Sequence, residues 1–198
     1  LTDVPPFLLP SPARGAAALE ERWDVIAGHA LVTGTEILLG LTLGVLLGCA
    51  MALTLTAWRG GRHWLLPLLL ISQAVPVFAI APLLTLWFGF GLASKVAMAT
   101  LIIFFPVANA FYDGLRRTDP GWLDLARTMG ATPGATLWRL RVPAALPALA
   151  SGLRAAAAVA PIGAVVGEWV GASAGLGYLM LHANGRSQTD VMFAALFV

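Results

Sequence analysis

One polar interval interrupts a chain otherwise made of apolar runs long enough to cross a membrane, and that alternation restricts the fold more than any other feature. From Asp113 to Pro147 the interval holds five arginines (Arg116, Arg117, Arg127, Arg139, Arg141) and three aspartates (Asp113, Asp119, Asp124). A charge at the centre of a bilayer costs several kcal/mol, so the interval must face water. Its arginine excess assigns it to the cytoplasm, because short cytoplasmic loops are the ones enriched in Lys and Arg. Only 11% of the residues are charged and 59% are hydrophobic, where a soluble domain carries about 25% charged residues. The fold class expected is all-α, a polytopic bundle of transmembrane helices.

The remaining composition excludes more than it assigns. A net charge of +2 gives no reason to expect nucleic acid as a partner. Cys49 is the single cysteine, so no intramolecular disulfide or cysteine metal site is available, and it reads as a small buried hydrophobe. Leu1 is no initiator methionine, and the first residues lack the basic stretch and apolar core of a signal peptide. At the other end, the apolar run from Val191 to Val198 reaches about 12 Å as helix, against roughly 30 Å of hydrocarbon. A span is expected to be missing after Val198, and another before Leu1.

In chain order, residues 1–30 read as an exterior or interfacial segment, proline-rich at first, then amphipathic from Ala16 to about Ile26 with Glu20, Glu21 and Asp24 on the polar side. The first span is expected over Leu31 to Ala57, where Gly40, Gly44 and Gly48 form a small-residue packing stripe and Glu36 is the one charge. Trp58 to His63 is a short cytoplasmic turn. The second span, Leu65 to Phe88, contains Pro67, Pro76 and Pro82, which should bend or open it, with Ser72 and Gln73 near the middle. A turn at 89–94 leads to a third span, roughly Val96 to Ala110 and extended at either end, carrying Asn109. A fourth runs from about Leu146 to Val170, with Arg154 one or two turns in and Glu168 near the far surface. Ser72, Gln73, Asn109 and Glu168 are the candidates for lining a translocation pathway. Counting the cut-off run at the end, five spans are visible in a single domain covering 1–198.

The polar interval itself is patterned as two capped helices. Asp119 before Pro120 is a good N-cap and first-turn pair, and the helix should end at Gly130, a favoured residue just past a C-terminus. Thr132 and Pro133 repeat the start signal. With residue 1 outside, Arg59, Arg62 and the five arginines of the interval all fall inside, as the positive-inside rule requires.

The same interval resembles the EAA signature of the membrane-spanning permease subunits of bacterial ABC importers: E-A-A, three residues, Gly, nine residues, then Ile-x-Leu-Pro. Here it reads Asp124-Leu125-Ala126, Gly130, and Leu140-Arg141-Val142-Pro143. Asp124 replaces the family's glutamate and Leu125 its first alanine. The early LPSP, the run AVPVFAIAPLLTLWFGFG, the segment LPALASGLR and the run E-W-x-G-x-x-x-G-L-G at 168–177 resemble the branch carrying nitrate, sulfonates, taurine and thiamine pyrimidine precursors.

That resemblance implies a type I importer fold of six spans, of which this chain holds a truncated set. It also implies a bacterial inner-membrane, multi-pass location and several partners: two cytoplasmic ATPase subunits, a second permease subunit in a homodimer, a periplasmic or lipid-anchored binding protein, and a small-molecule solute. Leu123, Ala126, Met129 and Gly130 are then the face that docks the ATPase, flanked by Asp124 and Arg127, with Leu140 and Pro143 closing the motif. No cofactor, metal ligand set or catalytic residue is implied. The chain has no G-x-x-x-x-G-K-[ST] loop, so it should not itself hydrolyse ATP. A secondary transporter or channel would suit the kinked spans and Gln73 or Arg154 equally well, but gives no reason for the capped pair at 119–143.

Overall fold

Three long helices carry the architecture. In a computed structural model, which describes residues 10–73 and 76–198, Trp23–Ala57, Leu92–Arg116 and Pro133–Trp169 are each long and apolar enough to cross a membrane. Every element among the described residues is helical: α1 Pro12–Glu21, α2 Trp23–Ala57, α3 Arg59–Ser72, α4 Val77–Phe88, α5 Leu92–Arg116, α6 Pro120–Thr128, α7 Pro133–Thr136, a π turn Leu137–Arg141, α8 Val142–Trp169, α9 Leu176–Gly185 and α10 Thr189–Phe197.

The core is α5 gripped between α2 and α8. The glycine stripe sets the closeness of the first pair. A Cβ on Gly40 would lie 2.5 Å from the Ala99 Cβ, one on Gly44 2.6 Å from Ile103 Cγ2, and one on Gly48 2.9 Å from the Val107 Cβ. Numbers rise together on both helices, so α2 and α5 run parallel. On the other side Gly163 meets Ala99 and Gly152 meets Ala110, so α8 runs antiparallel to α5. Lipid supplies no hydrophobic force between spans, and small residues that admit close van der Waals contact take over that role. Ala156 and Ala160 complete the seam against Ala99, Ile103 and Val107, and half-buried Cys49 packs beside it.

Several boundaries differ from the sequence expectation. The amphipathic helix begins earlier, at Pro12 behind the Ser11 cap, and breaks at Arg22, after which α2 is continuous for 35 residues. Glu20, Glu21 and Asp24 are exposed as expected. The 58–63 turn shrinks to Trp58 alone. The second span is two helices, α3 and α4, with Pro76, which has no N–H to offer and stands outside helical conformation, just ahead of α4. Helix α5 runs past Val96 and Ala110 at both ends, as the expected extension required. Helix α9, Leu176–Gly185, lies between the fourth apolar run and the last. Part of the LPSP match, Leu9, lies outside the described residues. By the positive-inside rule, the end of the bundle away from the arginine-rich hairpin is the outer end.

Candidate functional site

The polar interval folds as a helical hairpin with its capping signals in place. The Gly121 N–H donates to Asp119 Oδ1 at 2.6 Å. Helix α6 closes at Gly130, whose φ of 73° is open to glycine at no steric cost. There the Gly130 N–H donates to the Arg127 carbonyl and the Ala131 N–H to the Ala126 carbonyl, both at 2.9 Å, a crossed pair that satisfies carbonyls left open by the helix end. Thr132 starts the return arm, its Oγ1 accepting from the Ala135 N–H at 3.2 Å.

The return arm does not stop before a separate span. It continues through the π turn into α8, one rod from Pro133 to Trp169. Pro143 accounts for the wide turn: it offers no N–H to Arg139, and its ring would press on that carbonyl, so the helix opens just ahead of it.

Between the arms lies a cleft of about 410 Å³ lined by Trp122, Leu125 and Met129 and, opposite, by Arg139 and Leu140. A second cleft, about 630 Å³, separates the hairpin from the end of α2 and holds Leu123, Arg127 and Arg141 beside Thr56 and Trp58. Trp122, Leu125 and Met129 are 56%, 59% and 77% exposed, and their spacing sets them on one helical stripe. Of the docking face expected from sequence, Met129 and Gly130 are exposed while Leu123 and Ala126 are half-buried. Asp124 and Arg127 pair with each other at 2.7 Å on the surface, Leu140 is half-buried and Pro143 exposed.

A second polar centre, buried this time, occupies the outer end. Glu36 of α2, Lys95 of α5 and Glu168 of α8 are only 3%, 1% and 1% exposed, and they act on one another electrostatically. Lys95 Nζ donates to the carbonyls of Phe90 at 2.8 Å and Gly171 at 2.7 Å, stapling the turn before α5 to the turn after α8. Glu168 Oε1 accepts from Thr33 Oγ1 at 2.6 Å. Its Oε2 accepts from the N–H groups of Gly177 and Tyr178. Thr33 Oγ1 also accepts from the Leu176 N–H at 2.8 Å, and His29 Nδ1 from the Gly175 N–H at 2.9 Å. The first four N–H groups of a helix have no partner within it. In α9 side chains of α2 and α8 take all four.

This also explains the run E-W-x-G-x-x-x-G-L-G. A Cβ on Gly175 or Gly177 would collide with the Glu168 carboxylate. The carboxylate and the glycines are therefore one device. Thr33, His29 and Lys95 escaped the sequence reading; the available signal was a lysine at the head of an apolar run, since intramembrane charges pair with one another.

Residues 40–198 match the family model described as the binding-protein-dependent transport system inner membrane component. The chain belongs to this family. Among its relatives, a probable ABC transporter permease protein of Haemophilus influenzae is 57% identical over all of the chain and 81% of the relative's length. The formylaminopyrimidine transport permease protein ThiX of Halalkalibacterium halodurans is 39% identical over 98% of the chain and 78% of its own length. The riboflavin transport system permease protein RibX of Chloroflexus aurantiacus is 38% identical over 99% of the chain and 74% of its own. Aliphatic sulfonate and taurine permeases are further relatives, in keeping with the branch read from the motifs. The chain is thus an ABC transporter permease, a multi-pass inner-membrane component and not itself an enzyme.

The permease's four candidate pathway residues are spread out. Gln73 is exposed at the end of α3, beside the Pro76 break; the side chain of Ser72 lies outside the described residues. Asn109 is half-buried on α5. Glu168 stands level with Lys95, about fourteen residues from Asn109 along α5, or roughly 21 Å at helical rise. Arg154 is exposed and forms no ion pair among the described residues.

Proposed function

We propose that this permease imports a small nutrient bearing a nitrogen heteroaromatic ring, received from an extracytoplasmic binding protein and driven by two cytoplasmic ATPase subunits that hold the hairpin 119–143. The observation that carries the reading is the exposed apolar stripe Trp122, Leu125 and Met129 on a capped hairpin continuous with a span. Exposed apolar surface of this kind marks a partner's seat. Asp124 and Arg127 form its polar flank, Gly130 sets the turn, and Leu123, Ala126, Leu140 and Pro143 hold the arms at their angle. Closing of the ATPase pair shifts the permease between inward- and outward-facing states only through contacts that differ between those states, and a rigid hairpin supplies them. Two copies of the permease form the pathway. Solute passes the helix break beside Gln73, with Ser72 and Asn109 as further polar groups.

The solute class is supported by the two relatives named for formylaminopyrimidine and riboflavin, both nitrogen heteroaromatics. The test is uptake into proteoliposomes containing the permease, its ATPase partner and the loaded binding protein. Met129→Asp should lower solute-coupled ATP hydrolysis and uptake by more than tenfold with normal membrane insertion. Unchanged uptake, or uptake by wild-type permease without ATPase, would overturn the coupling. Release of a sulfonate from the purified binding protein, read by mass spectrometry, would overturn the solute class.

A further inference from the structure

We propose that Thr33, His29 and Glu168 are positioning residues for the outer docking step: by holding the N-terminus of α9 they hold its outward face in the orientation that engages the binding protein. The inference rests on the reading above that a binding protein delivers the solute. Among the described residues, the outer end exposes most of α1, the turn near Phe90 and, between 171 and 188, chiefly Ser173, Leu181, His182 and residues 184–187. Of these, α9 alone is seated by side chains from two other helices, through the Gly175, Leu176, Gly177 and Tyr178 N–H groups. Such an arrangement removes the freedom a ten-residue helix would otherwise lose on docking, and preorganisation of this kind shows as affinity.

The face held in this way has a definite chemistry. Leu181, His182, Asn184 and Arg186 are exposed. His182 and Arg186 join Arg22 and Gln188 around a small cavity of about 150 Å³. Arg22 and Arg186 have no ion pair among the described residues, and no carboxylate lines the cavity they share, although Glu20, Glu21 and Asp24 are exposed at the same end. The complementary partner is an acidic patch on the binding protein, which by sidedness is the component that reaches this face.

Thr33 is the informative position, because its hydroxyl joins α2, α8 and α9 without carrying a charge. The experiment uses the full complex in nanodiscs, with ATP hydrolysis titrated against loaded binding protein. Thr33→Val should raise the half-stimulating concentration about tenfold while the rate at saturation stays within twofold, and Thr33→Ser should restore the wild-type value. His29→Ala, which removes the Gly175 acceptor and the ring contact with Tyr178 but leaves Glu168 and Thr33 in place, should raise it about threefold. Hydrogen exchange at the amides of 175–178 should quicken in Thr33→Val.

A Thr33→Val complex with wild-type half-stimulation, or with faster exchange but no change in half-stimulation, overturns the inference and leaves the proposed function standing. A wild-type complex indifferent to binding protein overturns both. A Thr33→Val defect that appears only in nanodiscs with anionic lipid means that α9 serves a headgroup, and the inference fails.

Discussion

The permease keeps charge at both ends, in opposite states. At the outer end Glu36, Lys95 and Glu168 are buried, and Lys95 and Glu168 are bonded to backbone of other elements. On the hairpin Asp124 and Arg127 are exposed and answer only each other. Buried charge is costly when it loses its partners, whereas an exposed pair contributes little. The outer end is therefore built to stay as it is, and the hairpin is open to the partner proposed for it. Between them run helices whose glycines admit no slack.

The largest effect should come from emptying the clamp. Glu168→Ala strands the Gly177 and Tyr178 N–H groups and Thr33, and leaves Lys95 with fewer counter-charges. Loss of about 3–5 kcal/mol is expected, the range for breaking a buried charged network, read as a fall in resistance to denaturing detergent. A variant as stable as wild type would mean that the two ends do not differ as described. Next is the rod itself: Gly44→Leu would force a side chain into Ile103, where even a Cβ stands at 2.6 Å. Overpacking of this kind costs about 1–3 kcal/mol, and here it should also separate α2 from α5, seen as faster exchange along both helices. The hairpin should respond less. Gly130→Ala places a Cβ on a residue at φ 73°, about 1–2 kcal/mol, local to α6 and visible as weaker ATPase binding, with the outer clamp's exchange unchanged.

What the sequence disclosed follows the same division. The Asp119 and Thr132 caps, the Gly130 terminus and the glycine stripe depend on neighbours within a few residues or on one face of one helix, and each stands where the pattern placed it. The clamp depends on residues far apart in sequence. Thr33 and Glu168 are separated by 135 positions, and nothing local to Thr33 marks it as an acceptor for the α9 backbone. Glu168 and its glycines were legible as a motif, but their purpose required α2. The break of the second span was signalled by Pro76, and its depth depended on whether neighbouring helices would support the bend. The continuous rod from hairpin to α8 was hidden because Pro143 and Pro147 look like punctuation, while a π turn carries the helix past the first of them.

The smallest effect is the sharpest check on the comparison, because it concerns where the hairpin sits. Asp124 and Arg127 are three residues apart on α6, with side chains 68% and 69% exposed, so water and salt screen their attraction. A double-mutant cycle through Asp124→Ala and Arg127→Ala should give a coupling below about 1 kcal/mol, shrinking further in high salt. Each single variant should leave detergent resistance almost unmoved, although either could weaken the ATPase's hold on the hairpin. A coupling several times larger, indifferent to salt, would place the pair in a medium of low dielectric. The hairpin would then be buried in lipid or protein even without the ATPase proposed for it, and the contrast between a buried outer centre and an exposed hairpin would have to be abandoned.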